Sequence, residues 1–390
     1  MSIGTAWRYL RVGGIRALAH KVSAARPASM IRPLRRGARF ARRLRRGAHT
    51  PLHVVVKHEL GGGAGAYHEA WVRSVHREGH CVVELSYLVR AQTYSVLVRA
   101  PRHRMRYRTA RLADVVEPLT HCTDVRSIRY NNAVSFPEPL AVPELLIELR
   151  RVTGAPLRME LHDYYASCPS AFLLRKDGSH CGMPDVRVCD ACLSRDAHLA
   201  MPVPAGMSVR HWRAAWGGAL GRADHVVTFS HAAAELVARA YADLDLHITV
   251  EPHAPNGRPL RRVKPPKGRK LHVGVVGDIA WHKGADVVLD VAEYLLVQRP
   301  DALITVIGEL DARRAIPRNV RVMGRYVRTQ LPTLLERAGV NVLLFPSPCP
   351  ETFSYVMQEV GDVGLPVVGF DLGAQGEHLA ANPVGRAVQL

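Results

Sequence analysis

From Thr50 onward, short runs of branched apolar residues alternate with stretches that have the apolar periodicity of helices. Continuous apolar runs are typical of parallel strands that helices cover on both faces. We predict strands over residues 52–56, 82–85, 96–99, 158–161, 226–229, 248–250, 271–276, 303–307, 320–323, 342–345 and 366–370. The alternation therefore predicts an α/β fold built on parallel sheets.

An interval over residues 254–270 divides these strands into two series. It is rich in Pro, Gly and cations and lacks apolar periodicity, which is typical of a linker. We predict two doubly wound, Rossmann-like domains over residues 50–253 and 271–390, which face each other across a cleft at the carboxyl ends of their strands. The second domain is expected to be truncated, because the chain ends soon after one more expected strand over residues 383–388.

The composition is that of a folded protein. Of the 390 residues 47% are hydrophobic and 22% are charged, which supports sizeable cores and excludes wholesale disorder. No stretch reaches the about 18 uninterrupted apolar residues that a membrane-spanning helix needs. Arg8, Arg11 and Arg16 interrupt the start, so we expect no secretory signal. Seven cysteines, an odd number, suit a reducing compartment, and we expect a cytoplasmic protein.

Positive charge is concentrated in a tail of residues 1–49. It holds 13 of the 53 Lys and Arg residues and no acid. Leu34, Ala38, Ala41 and Leu44 would line one side of a helix with arginines around them. Such a helix suits peripheral contact with an anionic membrane surface, at about 1 kcal/mol per cation. Nucleic acid would be attracted by the same charge, but no nucleic-acid-binding motif accompanies it, and a solvated tail is the other alternative.

Two glutamates near the C-terminus, Glu351 and Glu359, are separated by seven residues. We predict that Glu351 lies in a loop and Glu359 on a helix beginning near Thr352, so that both carboxylates face the cleft. Carboxylates suit the binding of sugar and ribose hydroxyls, and a helix N-terminus suits a phosphate. On spacing alone, however, two solvated glutamates explain the pair better.

The wider pattern around these glutamates resembles family-4 glycosyltransferases, which have the GT-B fold. It consists of a strand, a Pro-rich turn, the Glu-x7-Glu helix, a G-x-P-V-V strand and a glycine-containing loop, with GDIAWHKGADVVLDVAEYL upstream. In that family the lysine neutralises the donor's diphosphate, and the two glutamates hold the donor sugar and the ribose. The resemblance implies catalytic roles for Lys283 and Glu351 and donor binding by Gly284, Thr352, Phe353 and Glu359.

One position departs from the family pattern. Family members often carry an Arg after the glycine that ends the first strand of the second domain, whereas here Asp278 follows Gly277. Loss of a cation beside the leaving phosphate would cost several kcal/mol of transition-state stabilisation unless His282 or Arg325 replaces it.

Two features of the first domain match the same family. Gly62 and Gly63 belong to a glycine loop before a helix expected from about Ala66, and the loop resembles one that closes over the donor phosphates. His162 follows a strand, where the family has a His that contacts the donor sugar near the reaction centre. By itself either feature is a weak signal. The resemblance implies a catalytic role for His162, and we expect Asp163 to orient its ring through a hydrogen bond.

Four cysteines follow that strand in a cysteine-rich insertion over about residues 164–200. Cys168, Cys181, Cys189 and Cys192 have the spacing C-x12-C-x7-C-x2-C. Four thiolates can close a tetrahedral zinc site and order a segment with little apolar content. An iron–sulfur cluster would use the same ligands, and four reduced thiols need no metal. We expect structural zinc, because no redox feature accompanies the cysteines, with a role in shaping the acceptor side of the cleft.

These features predict a hexosyltransferase-type glycosyltransferase of polysaccharide biosynthesis. It would bind a nucleotide-diphosphate sugar on its second domain and transfer the sugar to a cell-surface glycan or lipid-linked acceptor held by the first. The family resemblance implies retention of anomeric configuration and no catalytic metal, because Lys283 and the helix dipole take its place. Two alternatives stay open: a non-catalytic GT-B-like scaffold or binding protein, which Asp278 favours, and a protein that binds membrane or nucleic acid through residues 1–49.

Overall fold

The computed structural model describes residues 50–116, 119, 124–199, 203–204, 206–255, 257–266, 268 and 270–390. The basic tail of residues 1–49, on which the predicted membrane contact rests, lies outside the described residues. Within the described ranges, no helix combines the length and the apolar character needed to span a bilayer.

The first sheet has eight strands in the described residues. They are β1 (Leu52–Val56), β2 (Cys81–Leu88), β3 (Thr93–Arg99), β4 (Arg104–Thr109), β5 (Val125–Tyr130), β6 (Leu157–Glu160), β7 (His225–Thr228) and β8 (Ile248–Val250). Their order is β4-β3-β2-β1-β5-β6-β7-β8, and all neighbours are parallel except the pairs β2–β3 and β3–β4. The carboxyl ends of the parallel strands therefore meet at one side of the sheet.

Helices connect the parallel strands of this first part. They are α1 (Gly62–Arg77), α2 (Ala141–Thr153), α3 (Val186–Arg195), α4 (Val209–Leu220) and α5 (His231–Ala240). Trp212 and Trp216 of α4 are fully buried, with their rings edge-on to Tyr165 and Tyr130, respectively. Large aromatic side chains contribute most of the apolar area in such a core, so α4 is held firmly against the sheet.

The second sheet is parallel throughout the described residues. Its strands are β9 (His272–Val276), β10 (Leu303–Ile307), β11 (Val320–Val322), β12 (Val342–Phe345), β13 (Val367–Phe370) and β14 (Gly385–Val388), in the order β11-β10-β9-β12-β13-β14. Its helices are α6 (Ala285–Gln298), α7 (Leu331–Ala338), α8 (Tyr355–Val363) and α9 (Gly373–Ala381). This part is doubly wound, with a core of Val, Leu and Ile.

Each strand predicted from the sequence is present, with ends that differ by at most three residues. Strands β4 and β5 were not predicted, because arginines interrupt their apolar pattern. Two helix starts are corrected. Helix α1 begins at Gly62 rather than near Ala66, and α8 begins at Tyr355 rather than near Thr352.

The two parts meet through loops at the carboxyl ends of their strands. The hydroxyl of Thr352, which follows β12, donates a hydrogen bond of 2.7 Å to the backbone carbonyl of His162, which follows β6. Glu377 of α9 accepts a hydrogen bond from the backbone N–H of Ala232 at the start of α5. The carboxyl ends of the two sheets therefore face each other, as the doubly wound pattern predicts.

Candidate functional site

Lys283 lies at the end of a single 3-10 turn, Trp281–Lys283, between β9 and α6. Gly284 follows with φ +88°, and a Cβ at this position would lie 2.0 Å from the carbonyl oxygen of Pro346. Only glycine combines that backbone conformation with so close an approach. The turn therefore packs closely against the loop that carries Glu351.

The central contact of the site is an ion pair between Lys283 and Glu351. The Lys283 Nζ lies 3.1 Å from the Glu351 Oε1. The Lys283 side chain is 41% exposed, whereas the Glu351 side chain is 8% exposed. The Glu351 carboxylate raises the pKa of Lys283 above its usual value, so the lysine is a cation. Part of its side chain stays exposed to solvent.

Gln375, which sequence patterns did not single out, holds the Glu351 loop. Its side chain is fully buried on α9. The Gln375 Oε1 accepts a 3.0 Å hydrogen bond from the backbone N–H of Glu351, and its Nε2 donates one of 2.8 Å to the carbonyl of Cys349. A buried amide with both ends bonded fixes a loop in one conformation.

Glu359 is the fifth residue of α8 and is 7% exposed. The hydroxyl of Tyr326 donates a 2.8 Å hydrogen bond to its Oε2, and the Arg328 Nε lies 3.5 Å from its Oε1. Burial raises the pKa of Glu359, although Tyr326 and Arg328 lower it in part. Ser354 caps the helix by accepting a hydrogen bond from the backbone N–H of Met357.

His162 lies two residues after β6, at the predicted end of the strand. Its ring stacks on Phe229 at 4.3 Å between centroids, and its Nε2 is buried without a hydrogen-bond partner. Burial, reinforced by nearby His253, lowers the pKa of His162 well below its usual value. The imidazole is therefore neutral at physiological pH, with a ring nitrogen that has no protein partner.

The expected orientation of His162 by Asp163 is wrong. The Oδ1 of Asp163 accepts a 2.9 Å hydrogen bond from the backbone N–H of Tyr165, and the amide of Asn132 donates to its Oδ2. In the described residues no hydrogen bond joins Asp163 to the His162 ring, so Asp163 shapes the loop after β6 and does not hold the imidazole.

An aromatic cluster links the two parts beside His162. His253, which follows β8 and is 5% exposed, lies with its ring 4.6 Å from Tyr67, 4.3 Å from Phe229 and 4.2 Å from Phe353. Both ring nitrogens of His253 are buried without a partner, and burial lowers its pKa to about 3. Buried polar atoms are usually bonded, so this cluster is a place where a ligand's polar groups would be accommodated.

The glycine loop faces the same cluster from the first part. A Cβ on Gly63 would lie 3.6 Å from the Tyr355 ring at the start of α8, and Gly61 and Gly62 have φ near +80°. The predicted phosphate-binding loop thus lies across from the helix that carries Glu359.

Of the two expected substitutes for the missing cation, only Arg325 keeps its charge. His282 stacks on Phe172 with 4.0 Å between ring centroids, and burial lowers its pKa to about 3, so it carries no charge at neutral pH. Arg325 is exposed and pairs with Glu309 at 3.1 Å, and Glu309 together with Asp278 raises the pKa of Arg325. Asp278 itself is exposed.

A cavity of about 500 Å³ lies within the cysteine-rich insertion. Its lining includes all four predicted ligands, Cys168, Cys181, Cys189 and Cys192. A second group of metal-binding residue types, His68, Glu69 and Glu84, has its ligand atoms within 4.8 Å of one another. The Arg99 guanidinium bonds both of those carboxylates and the Lys57 Nζ lies 3.8 Å from Glu84, so two cations already balance the two acids.

Residues 258–389 match the family described as Glycosyl transferases group 1. This part of the chain is similar to group 1 glycosyltransferases. No curated protein matches the chain.

Solved structures extend the similarity over most of the chain. The lipopolysaccharide outer core galactosyltransferase WaaB, in its apo form, is 10% identical with a TM-score of 0.50 over 85% of this chain and 83% of that chain. The fold is GT-B. Anabaena Alr3699/HepE in complex with UDP-glucose has a lower TM-score of 0.46, with 17% identity over 84% of this chain and 82% of that chain. A glycosyltransferase from Rickettsia africae ESF-5 has a TM-score of 0.49, with 12% identity over 84% of this chain and 81% of that chain.

Proposed function

We propose that this protein is a retaining, family-4-like hexosyltransferase that moves a sugar from a nucleotide-diphosphate donor to a cell-surface glycan or lipid-linked acceptor. The observation that carries the proposal is the Lys283–Glu351 pair at 3.1 Å, one residue from the Thr352 contact with His162. It places a cation beside a carboxylate on the loop that contacts the main chain of His162, at the junction of the two sheets. Such a set suits a substrate that has an anionic and a hydroxyl-rich part.

Each group has a distinct task in this proposal. The bond between the sugar C1 and the donor phosphate breaks, and its electron pair leaves on the phosphate oxygen, where Lys283 stabilises the added charge. The acceptor hydroxyl oxygen bonds to C1 from the same face, and its proton passes to the departing diphosphate. Glu351 accepts hydrogen bonds from the donor sugar, Glu359 from the ribose, and His162 contacts the sugar beside C1.

The donor phosphates would lie between two backbone surfaces. Gly62 and Gly63 present N–H groups at the start of α1 on one side, and the first turn of α8 does so on the other. Gly284 contributes through its lack of a side chain, because its own N–H donates to the carbonyl of Trp281. Thr352 and Phe353 complete the donor site with their backbone groups. Their side chains have other partners, because the Thr352 hydroxyl bonds the His162 carbonyl and the Phe353 ring packs on the His253 ring. With these donors and Lys283 no catalytic metal is required. We propose a cytoplasmic location with peripheral membrane contact through residues 1–49.

The test is calorimetric titration with UDP, GDP, ADP and CDP, followed by nucleotide release from the matching sugar donors. Lys283→Met and Glu351→Gln should each lower the release rate about a hundredfold, as loss of one electrostatic contact in a transition state typically does. Glu293→Gln, an exposed change on α6, is the matched control and should leave the rate unchanged. Equal background release by the wild type and both site variants would refute an enzymatic role.

A non-catalytic binding protein is the second candidate, and Asp278 favours it. This exposed carboxylate stands where the family often has an arginine, and it adds negative charge near Lys283. A protein of this kind would bind a nucleoside diphosphate without releasing nucleotide from the sugar donor. Asp278→Arg would then strengthen nucleotide binding and leave turnover at background.

A further inference from the structure

Four cysteines from separate stretches of the insertion line one cavity. Cys168 lies in the loop after β6, Cys181 in the following irregular segment, and Cys189 and Cys192 on α3. Residues three apart in a helix lie on one face, so both α3 thiols point to the same side. The cavity of about 500 Å³ is large enough for an ion and its ligands.

Charged groups of both signs lie around the thiols, with Asp177 and Asp196 in the cavity lining beside several cations. The Arg213 Nη2 lies 3.8 Å from the Cys189 Sγ, and its Nε donates a 3.0 Å hydrogen bond to the carbonyl of Ser167, the residue before Cys168. Arg175 and Lys176 also line the cavity. Hydrogen bonds and cations around ligand sulfurs stabilise the anionic form that a metal binds.

The insertion is anchored on one side, where Tyr164, Tyr165, Leu173 and Met183 are buried in the main core of the first part. Away from that core, the buried cluster around α3 consists of Cys189, Leu193 and Ala197 together with Val209 of α4, among the described residues. Two isolated β-bridges, Leu174–His180 and Arg175–Ala197, are its sheet-like contacts in that range. Segments with so small a core commonly rely on a metal or a cross-link.

We propose that Cys168, Cys181, Cys189 and Cys192 bind one structural Zn²⁺ ion. Among the described residues no three of these sulfurs lie within 4.8 Å of one another, so binding draws the Cys181 segment and the start of α3 together across the cavity. Each thiol releases its proton to solvent as its sulfur binds, and no electron is transferred. Four thiolates with no exchangeable ligand make a closed site, which is structural rather than catalytic.

The zinc site acts on the donor side of the cleft. Phe172 of the insertion stacks on His282, and His198 lies edge-on to Trp281 with 4.1 Å between ring centroids. Leu174 packs in a buried cluster with Trp281 and Cys349. The insertion therefore supports the turn that presents Lys283. This step rests on the proposed function, and it replaces the expected contribution to the acceptor side.

Metal analysis of the purified full chain tests the site itself. We expect about one zinc per chain after dialysis, and a loss of at least fivefold in Cys189→Ser/Cys192→Ser. Cys81→Ser, a half-buried change in β2 away from the insertion, is the matched control and should retain the metal. Because the double variant could unfold, the wild type is also refolded with Co²⁺, which should show thiolate charge-transfer bands and the visible bands of a tetrahedral site.

Three outcomes would overturn the zinc proposal. They are a metal-free chain whose four thiols all react with a thiol reagent, iron with acid-labile sulfide, and disulfides between the four cysteines.

Nucleotide affinity tests the link to Lys283. Chelated protein should bind its preferred nucleoside diphosphate at least tenfold more weakly than the zinc-loaded protein. Phe172→Ala should show a similar loss while keeping its zinc. Equal affinity of the two forms would overturn the link. If zinc is present and no nucleotide binds in either form, the proposed function fails while the metal site stands.

Discussion

Gly284 illustrates how backbone geometry at one residue positions the charged group beside it. The turn that presents Lys283 touches Pro346 closely because residue 284 has no side chain. Lys283 and Glu351 could be found from the sequence, since each belongs to a local pattern that resembles a known family. Tyr326, Gln375 and His253 could not, because their roles depend on contacts with residues far away in the chain.

Gly284→Ala should damage both stability and nucleotide binding. The new methyl group would collide with the Pro346 carbonyl, and the left-handed backbone conformation would add a strain of about 1 kcal/mol. We expect a free energy of unfolding lower by about 2 kcal/mol or more, measured by urea unfolding. Gly339→Ala is the matched control: φ there is +75°, but the nearest atom is 3.9 Å away, so only the backbone strain applies. Equal losses in both variants would contradict the close-approach argument.

At the scale of elements, the sequence predicted strands well where apolar runs are continuous and poorly where charges are paired inside the protein. Strand β5 carries Arg129, whose guanidinium pairs with buried Glu160 and lies 4.3 Å from the Trp71 ring centroid. Such partners are supplied by the tertiary structure, so the local pattern gives no sign that the arginine is tolerated. The predicted start of α8 was too early. Thr352 and Ser354 are both suitable N-cap residues, and the sequence alone does not show that Ser354 is the one that caps the helix.

Removing the cap of α8 should destabilise the helix that carries Glu359. Ser354→Ala deletes the acceptor for the Met357 N–H, and we expect a loss of about 1 kcal/mol in the free energy of unfolding. Ser74→Ala within α1 is the control, because that hydroxyl bonds a carbonyl of its own helix and alanine is a good helix former. Its stability should stay within about 0.5 kcal/mol of the wild type. A neutral Ser354→Ala change would show that the cap is dispensable.

At the scale of the whole molecule, the repeated strand–helix pattern was enough to predict two doubly wound parts that face each other. The pattern could not predict the contacts between the two parts. Those contacts are made by irregular loops and by histidines that are not part of any periodic sequence pattern. Several of those histidines are neutral in the fold. Burial lowers the pKa of His253 and His282 to about 3 and that of His198 to about 4.

Acid should therefore destabilise the protein well above the range in which carboxylates titrate. Unfolded histidines bind a proton below about pH 6.5, whereas these folded ones do so only near pH 3 to 4, so the unfolded chain takes up more protons and stability falls as the pH drops below 6.5. The urea midpoint should be lower at pH 5.5 than at pH 7.5. His253→Phe should remove about 1 kcal/mol of that difference.

Phe353→Leu serves as the control for the acid experiment, because it disturbs the same cluster without changing a titratable group. It should lower stability equally at both pH values. Identical urea midpoints of the wild type at pH 5.5 and pH 7.5 would contradict the role given to the histidines.

The hydrogen bond from Thr352 ends on the main chain of His162, not on its ring. Any amino acid at position 162 has the same carbonyl oxygen, so a substitution of His162 leaves the acceptor of this hydrogen bond in place. Replacements at 162 therefore keep this bond between the two parts and change only the packing of the ring against Tyr67, Phe229 and His253. The stability of each variant, measured beside its activity, separates that packing from the chemistry of the imidazole.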